Sequence, residues 1–120
     1  MRRVLFCLLI GWVTVQFPSG GWLGITIQDL TPQMAARLGI RNREGVFVAR
    51  VQFGSPAEKG GVAQGDVIVS YNGKKISNAE DLKREVSQTA PGERIALIVI
   101  RNRREKKIEI AVGSPPRRGV

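Results

Sequence analysis

Glycine and proline cut this sequence into short lengths, which limits it to brief strands and helices joined by turns. Fourteen of the 120 residues are glycine and only 6% are aromatic, so the interior must rest on aliphatic packing. A chain of this length supports one domain of ordinary size. From Leu23 to Gln28 apolar and polar residues alternate, the pattern of a half-buried strand with Gly24 at its entrance. Thr31-Pro32 supplies an N-cap and a first-turn proline for a short helix through Met34, Ala35 and Leu38, which Gly39 stops. Val46, Val48, Val51 and Phe53 read as a strand whose phase shifts between Val48 and Val51, the mark of a bulge. Ser55-Pro56-Ala57-Glu58 is a capping box, and Gly60-Gly61 ends its turn of helix almost at once.

Asp66 to Tyr71 is the next strand, and Asn72-Gly73 supplies the positive-φ pair of a tight hairpin that returns through Lys74 to Ile76. Ser77-Asn78-Ala79-Glu80 is a second capping box, opening a helix to about Gln88. On it Ala79, Leu82 and Val86 form one apolar stripe, which by pattern alone is core. Ala90-Pro91-Gly92 breaks the helix. Ile95 to Ile100 is apolar on both faces, as in a central strand. Ile108, Ile110 and Val112 alternate along a last strand. The expected fold is α/β (α+β): a small, partly open antiparallel barrel or sandwich of 5–6 strands with two short helices.

The two ends read differently. Residues 1–20 join Arg2-Arg3 to an uncharged apolar run, Val4 to Val15, the layout of a signal peptide or short signal anchor. That run would span about 18 Å as a helix, against about 30 Å for a hydrocarbon core. Residues 114–120 form a polar, proline-bearing tail with no reason to fold. The expected location is extracytoplasmic or periplasmic, with residues 4–17 as a possible inner-membrane anchor.

Composition narrows the chemistry. There is no histidine and one cysteine, Cys7, which excludes Ser-His-Asp and Cys-His catalysis and histidine- or cysteine-based metal clusters. No enzyme activity, cofactor or metal is expected. The net charge is +9, and Arg101, Arg103, Arg104, Lys106 and Lys107 crowd one hairpin. Such a patch suits weak contact with an anionic membrane surface. Aromatic residues for base stacking do not interleave with it, so nucleic acid is not an expected partner.

Three pieces occur in order: Trp22-Leu23-Gly24-Ile25, then Gly54-Ser55-Pro56-Ala57 with Gly60-Gly61-Val62, then Gly65-Asp66-Val67-Ile68. With Asn72-Gly73 and the helix that follows, residues 21–113 resemble a bacterial PDZ domain, closest to that of the HtrA/Deg (DegP/DegQ-like) serine proteases. Leu30-Thr31-Pro32 strengthens the likeness. Where that family often carries a basic residue before the opening segment, this chain has Gly20.

The resemblance implies a peptide-binding module. Main-chain N–H groups of Leu23, Gly24 and Ile25 would capture a terminal carboxylate. The peptide would add as a strand between 25–28 and helix 78–88. Ile25, Ile27, Ala79, Leu82, Lys83 and Val86 would form the groove, although Ala79 and Leu82 fit the interior equally well. Partners would be C-termini or exposed hydrophobic segments of other proteins, including unfolded or membrane proteins. Two alternatives stand beside this: a detached regulatory part of an HtrA/Deg-type protease working with a separate protease chain, and a basic membrane-surface tether.

Overall fold

The computed structural model describes residues 20–40 and 44–115. Apart from Gly20, the expected leader lies outside the described residues, as does the tail from Pro116 to Val120. Six strands follow one another as β1 (Ile25–Asp29), β2 (Val46–Val51), β3 (Val67–Tyr71), β4 (Lys74–Lys75), β5 (Arg94–Arg101) and β6 (Arg104–Ala111). Between them lie α1 (Pro32–Leu38), α2 (Pro56–Gly60) and α3 (Ala79–Ser87). The strands form one antiparallel sheet in the order β1-β2-β3-β5-β6, with β4 beside β3. The sheet does not close, so β1 is a margin.

The described residues hold three helices rather than two. The turn expected after Ser55 is a five-residue helix because it is capped at both ends. Ser55 Oγ accepts the Glu58 N–H, and Glu58 Oε1 accepts the Gly54 N–H at 2.6 Å. The cap of α3 lies one residue later than expected: Asn78 Oδ1 accepts the Asp81 N–H, while Asp81 reaches back to the Ser77 N–H. The bulge falls where the phase shift placed it. Thr26 pairs with Arg50 and Ile27 with Val48, leaving Ala49 unmatched.

Alternation within the strands produces two apolar layers. Val46, Val48, Ile68, Leu97, Val99 and Ile110 face α2 and α3 and pack with Ala57 and Leu82. Val67, Phe47 and Ile100 face the opposite side, where Ala35 and Leu38 of α1 cover them. Full burial of each large aliphatic contributes about 1.5–3 kcal/mol, so the layer beneath α3 fixes the helix against the sheet.

Two polar contacts are buried inside this frame. Asp66 is 1% exposed and accepts from Arg101 Nε and Nη2 at 2.8 and 2.7 Å. Hydrogen bonding to that carboxylate raises the pKa of Arg101 further above its ordinary value. Tyr71 OH meets Thr89 Oγ1 at 2.6 Å. Because the Thr89 hydroxyl already donates to the Glu85 carbonyl, Tyr71 is the donor.

Candidate functional site

The segment Leu23-Gly24 turns the chain into β1 with its carbonyls used up and its amides left over. The Leu23 carbonyl accepts from Ala57 at 3.0 Å and the Gly24 carbonyl from Gln52 at 2.8 Å. Among the described residues, neither the Leu23 nor the Gly24 N–H has a main-chain acceptor. Glycine is obligatory at 24: its φ is +81°, and a Cβ there would stand 2.3 Å from Ser55 Cβ. The Gln52–Gly24 bond also sets the phase of the ladder. The Gln52 N–H and Gly24 carbonyl supply one half of a bonded pair, the Gly24 N–H being left over, so Ile25 opposite Val51 is a non-bonded pair. The main-chain groups of Ile25 therefore point outward, to the free margin.

Beside that margin runs a groove of about 780 Å³ between β1 and α3. Leu23, Gly24, Ile25 and Ile27 line it from the strand side, and Leu82, Lys83, Val86 and Ser87 from the helix. Seven of the eight residues singled out from sequence thus meet in one cleft. Leu82 is 1% exposed and also belongs to the core, so it closes the bottom of the groove while anchoring α3. Ala79 is not among the lining residues. It stands at the far end, where its N–H donates to Asp29 Oδ1 at 2.7 Å and ties α3 to the end of β1.

Sequence reasoning missed the near end. Gly20, Gly21 and Trp22 line the groove there, with Pro91, Ser114 and Pro115. The Gly21 N–H donates to the Val86 carbonyl at 3.1 Å, and a Cβ on Gly21 would lie 2.3 Å from Val112 Cγ1. Trp22 and Gly113 exchange main-chain bonds of 2.9 and 3.1 Å. The paired glycines before Trp22 were the available signal, since glycine permits such close backbone approach.

The basic hairpin is less uniform than its sequence suggests. Arg101 is committed to Asp66 and the Gly61 carbonyl, and Arg94 stands 3.9 Å from Glu109. Arg103, Arg104, Lys106 and Lys107 remain exposed. Among the described residues no helix is long and apolar enough to cross a membrane. Nor does any acidic or cysteine cluster there have the makings of a metal site.

Comparison with known proteins agrees with this geometry. The probable periplasmic serine endoprotease DegP-like of Brucella suis biovar 1 (strain 1330) is 40% identical over 96 residues, 80% of this chain and 19% of that protein. Its counterpart in Pseudomonas fluorescens is 40% identical over 98 residues, 82% of this chain and 21% of the relative. The chain thus spans about a fifth of the length of these curated relatives.

Among solved structures, the HtrA-type protease AlgW with decapeptide superposes with a TM-score of 0.75 at 34% identity, over 83% of this chain and 31% of that one. The HtrA3 PDZ domain bound to the phage-derived ligand FGRWV gives 0.67 at 26% identity, over 79% and 86%. A family model described as the PDZ domain matches residues 21–112. With a glycine-kinked turn, a free strand margin and a helix-walled groove all inside that span, the chain belongs to the PDZ-domain family.

Proposed function

We propose that this chain is a non-catalytic module that captures C-terminal or extended hydrophobic peptides by strand addition. The observation that carries the reading is the free margin of β1, with the Leu23 and Gly24 amides unengaged beside an apolar groove. PDZ domains are standard examples of this binding mode, and the AlgW and HtrA3 structures hold a decapeptide and the ligand FGRWV. The terminal carboxylate sits on the amides of Leu23, Gly24 and Ile25. The last side chain packs on Ile25, Ile27, Leu82 and Val86, with Lys83 on the rim and Ala79 at the distal end.

Burying one aliphatic side chain supplies about 1.5–3 kcal/mol, and each main-chain bond adds about 1 kcal/mol net. Ordering a flexible tail offsets much of that, so binding is modest and reversible. Partners are C-termini or exposed hydrophobic segments of other proteins, unfolded or membrane proteins among them. The naming of the relatives as periplasmic supports an extracytoplasmic location. Attachment to the inner membrane through residues 4–17 belongs to the same proposal.

The test compares free-acid and amidated forms of one apolar peptide by fluorescence anisotropy. The free acid binds more tightly, and Ile25→Asp or Val86→Glu abolishes binding. Retained affinity in both variants places the site elsewhere. A second reading, the regulatory part of an HtrA/Deg-type serine protease, is favoured by the 40% identity to DegP-like enzymes. It predicts that the chain co-purifies with a separate protease and changes its rate when peptide is added.

A further inference from the structure

We propose that the groove selects peptides with acidic side chains just before their apolar last residue, read by Arg50 from the sheet and Lys83 from the helix. The inference rests on the peptide-capture reading and names the ligand's charge. A strand added to β1 pairs with the outward main-chain groups of Ile25. The ligand residue opposite Ile25 shares its face and enters the groove, whereas the preceding one, opposite Thr26, turns to the other face.

On that face Thr26 and Arg50 are direct cross-strand partners, and both are exposed. The added strand lies about 4.8 Å beyond β1, and the Arg50 side chain is long enough to reach across the short Thr26 to it. The third residue from the ligand's end turns back to the groove along Ile27. There the exposed Lys83 lines the rim.

Neither cation is spent within the fold. The ion pairs among the described residues join Lys74 to Glu85, Lys75 to Glu44, Arg84 to Asp81, Arg94 to Glu109 and Arg101 to Asp66. Arg50 and Lys83 take part in none. Among the described residues the carboxylate one helical turn before Lys83, Glu80, forms no ion pair with it, and Asp81 is held by Arg84 and the Ser77 N–H. Asp29 stands at the distal end, engaged by the Ala79 N–H. The unpaired cations thus lie beside Thr26 and Ile27 and the Asp29 carboxylate at the distal end, and the acidic preference is confined to the last few ligand positions.

The test uses the full chain and acetylated octapeptides with a free C-terminal valine. One series carries glutamate, glutamine or lysine at the penultimate position, the other at the third position from the end. In each series the glutamate peptide binds roughly fivefold more tightly than the lysine peptide at low salt, the scale of an exposed ion pair exchanged for a repulsion. Arg50→Glu reverses the penultimate series alone, and Lys83→Glu reverses the other alone. Thermal midpoints of both variants stay at the wild-type value because the two side chains are exposed. Equal affinities in the wild type, or a preference surviving both substitutions, overturn the inference while leaving peptide capture intact. Failure of the neutral glutamine peptides to bind overturns peptide capture, and the charge selection with it.

Discussion

Asp29 Oδ1 accepts the Ala79 N–H at 2.7 Å, across fifty residues of sequence. This bond joins the last residue of β1 to the first of α3. The Gly21–Val86 bond of 3.1 Å does the equivalent at the other end. The groove is therefore clasped at both ends and its width is set by the fold rather than by an occupant.

Asp29→Ala removes the acceptor for an otherwise unpaired helix-end donor, a loss of about 1 kcal/mol. The thermal midpoint should fall by about 4–8 °C, and amide exchange at Ala79 should accelerate. Asp29→Asn keeps an oxygen in place and should recover most of both. An unchanged midpoint in the alanine variant would mean that the clasp contributes nothing.

Gly24→Ala forces a side chain into a left-handed conformation, at about 1–2 kcal/mol, and sets it against Ser55. Adding Ser55→Gly removes the collision but leaves the backbone penalty, and glycine is a tolerable N-cap. The double variant should regain part of the stability lost by Gly24→Ala, measured as a coupling in urea unfolding. Simple additivity would show that Ser55 is not the obstacle.

Among the described residues, Arg101→Met leaves the buried Asp66 carboxylate with the Ala63 N–H as its remaining partner. Removing one member of a buried pair costs about 3 kcal/mol. Arg101→Lys should rescue little, because a single ammonium cannot reproduce the two-nitrogen grip. Asp66→Asn in the Arg101→Met background should restore stability by removing the uncompensated charge. Urea denaturation of the four proteins decides the matter.

Burial, reinforced by Glu93 and Glu85, raises the pKa of Tyr71 above its ordinary value. The folded state thus holds this proton more tightly than the unfolded chain. The stabilisation is complete below the ordinary tyrosine value, near 10.0, and drains away as the pH climbs toward the raised folded value. Tyr71→Phe should lose about 1 kcal/mol at neutral pH with the Thr89 bond, yet show a shallower alkaline decline. Parallel pH profiles for the two proteins would dismiss a role for this phenol.

Local signals foretold local structure. Asn72-Gly73 makes its hairpin because both residues take positive φ, 50° and 87°, and Thr31, Ser55 and Gly39 act within one helical turn of themselves. The floor residues Leu23, Ile25 and Ile27 were legible because strand alternation and the motif agreed. The capping of α3 was displaced by one residue because Ser77 and Asn78 both suit an N-cap, and only Asp81 decides between them. What escaped were contacts between distant segments: Trp22 with Gly113, Asp66 with Arg101, Asp29 with Ala79. Periodicity carries no information about such meetings, and for that reason the stripe position of Ala79 suits groove wall and interior alike while its backbone fastens the end.

The exchange of bonds between Trp22 and Gly113 brings segments near the two ends of the described residues to one spot. A unit that starts and finishes at a single point can be spliced into another polypeptide with little disturbance to the host. Since that spot is also the lip of the cleft, whatever is joined on either side emerges next to the guest, and host and guest must share the doorway.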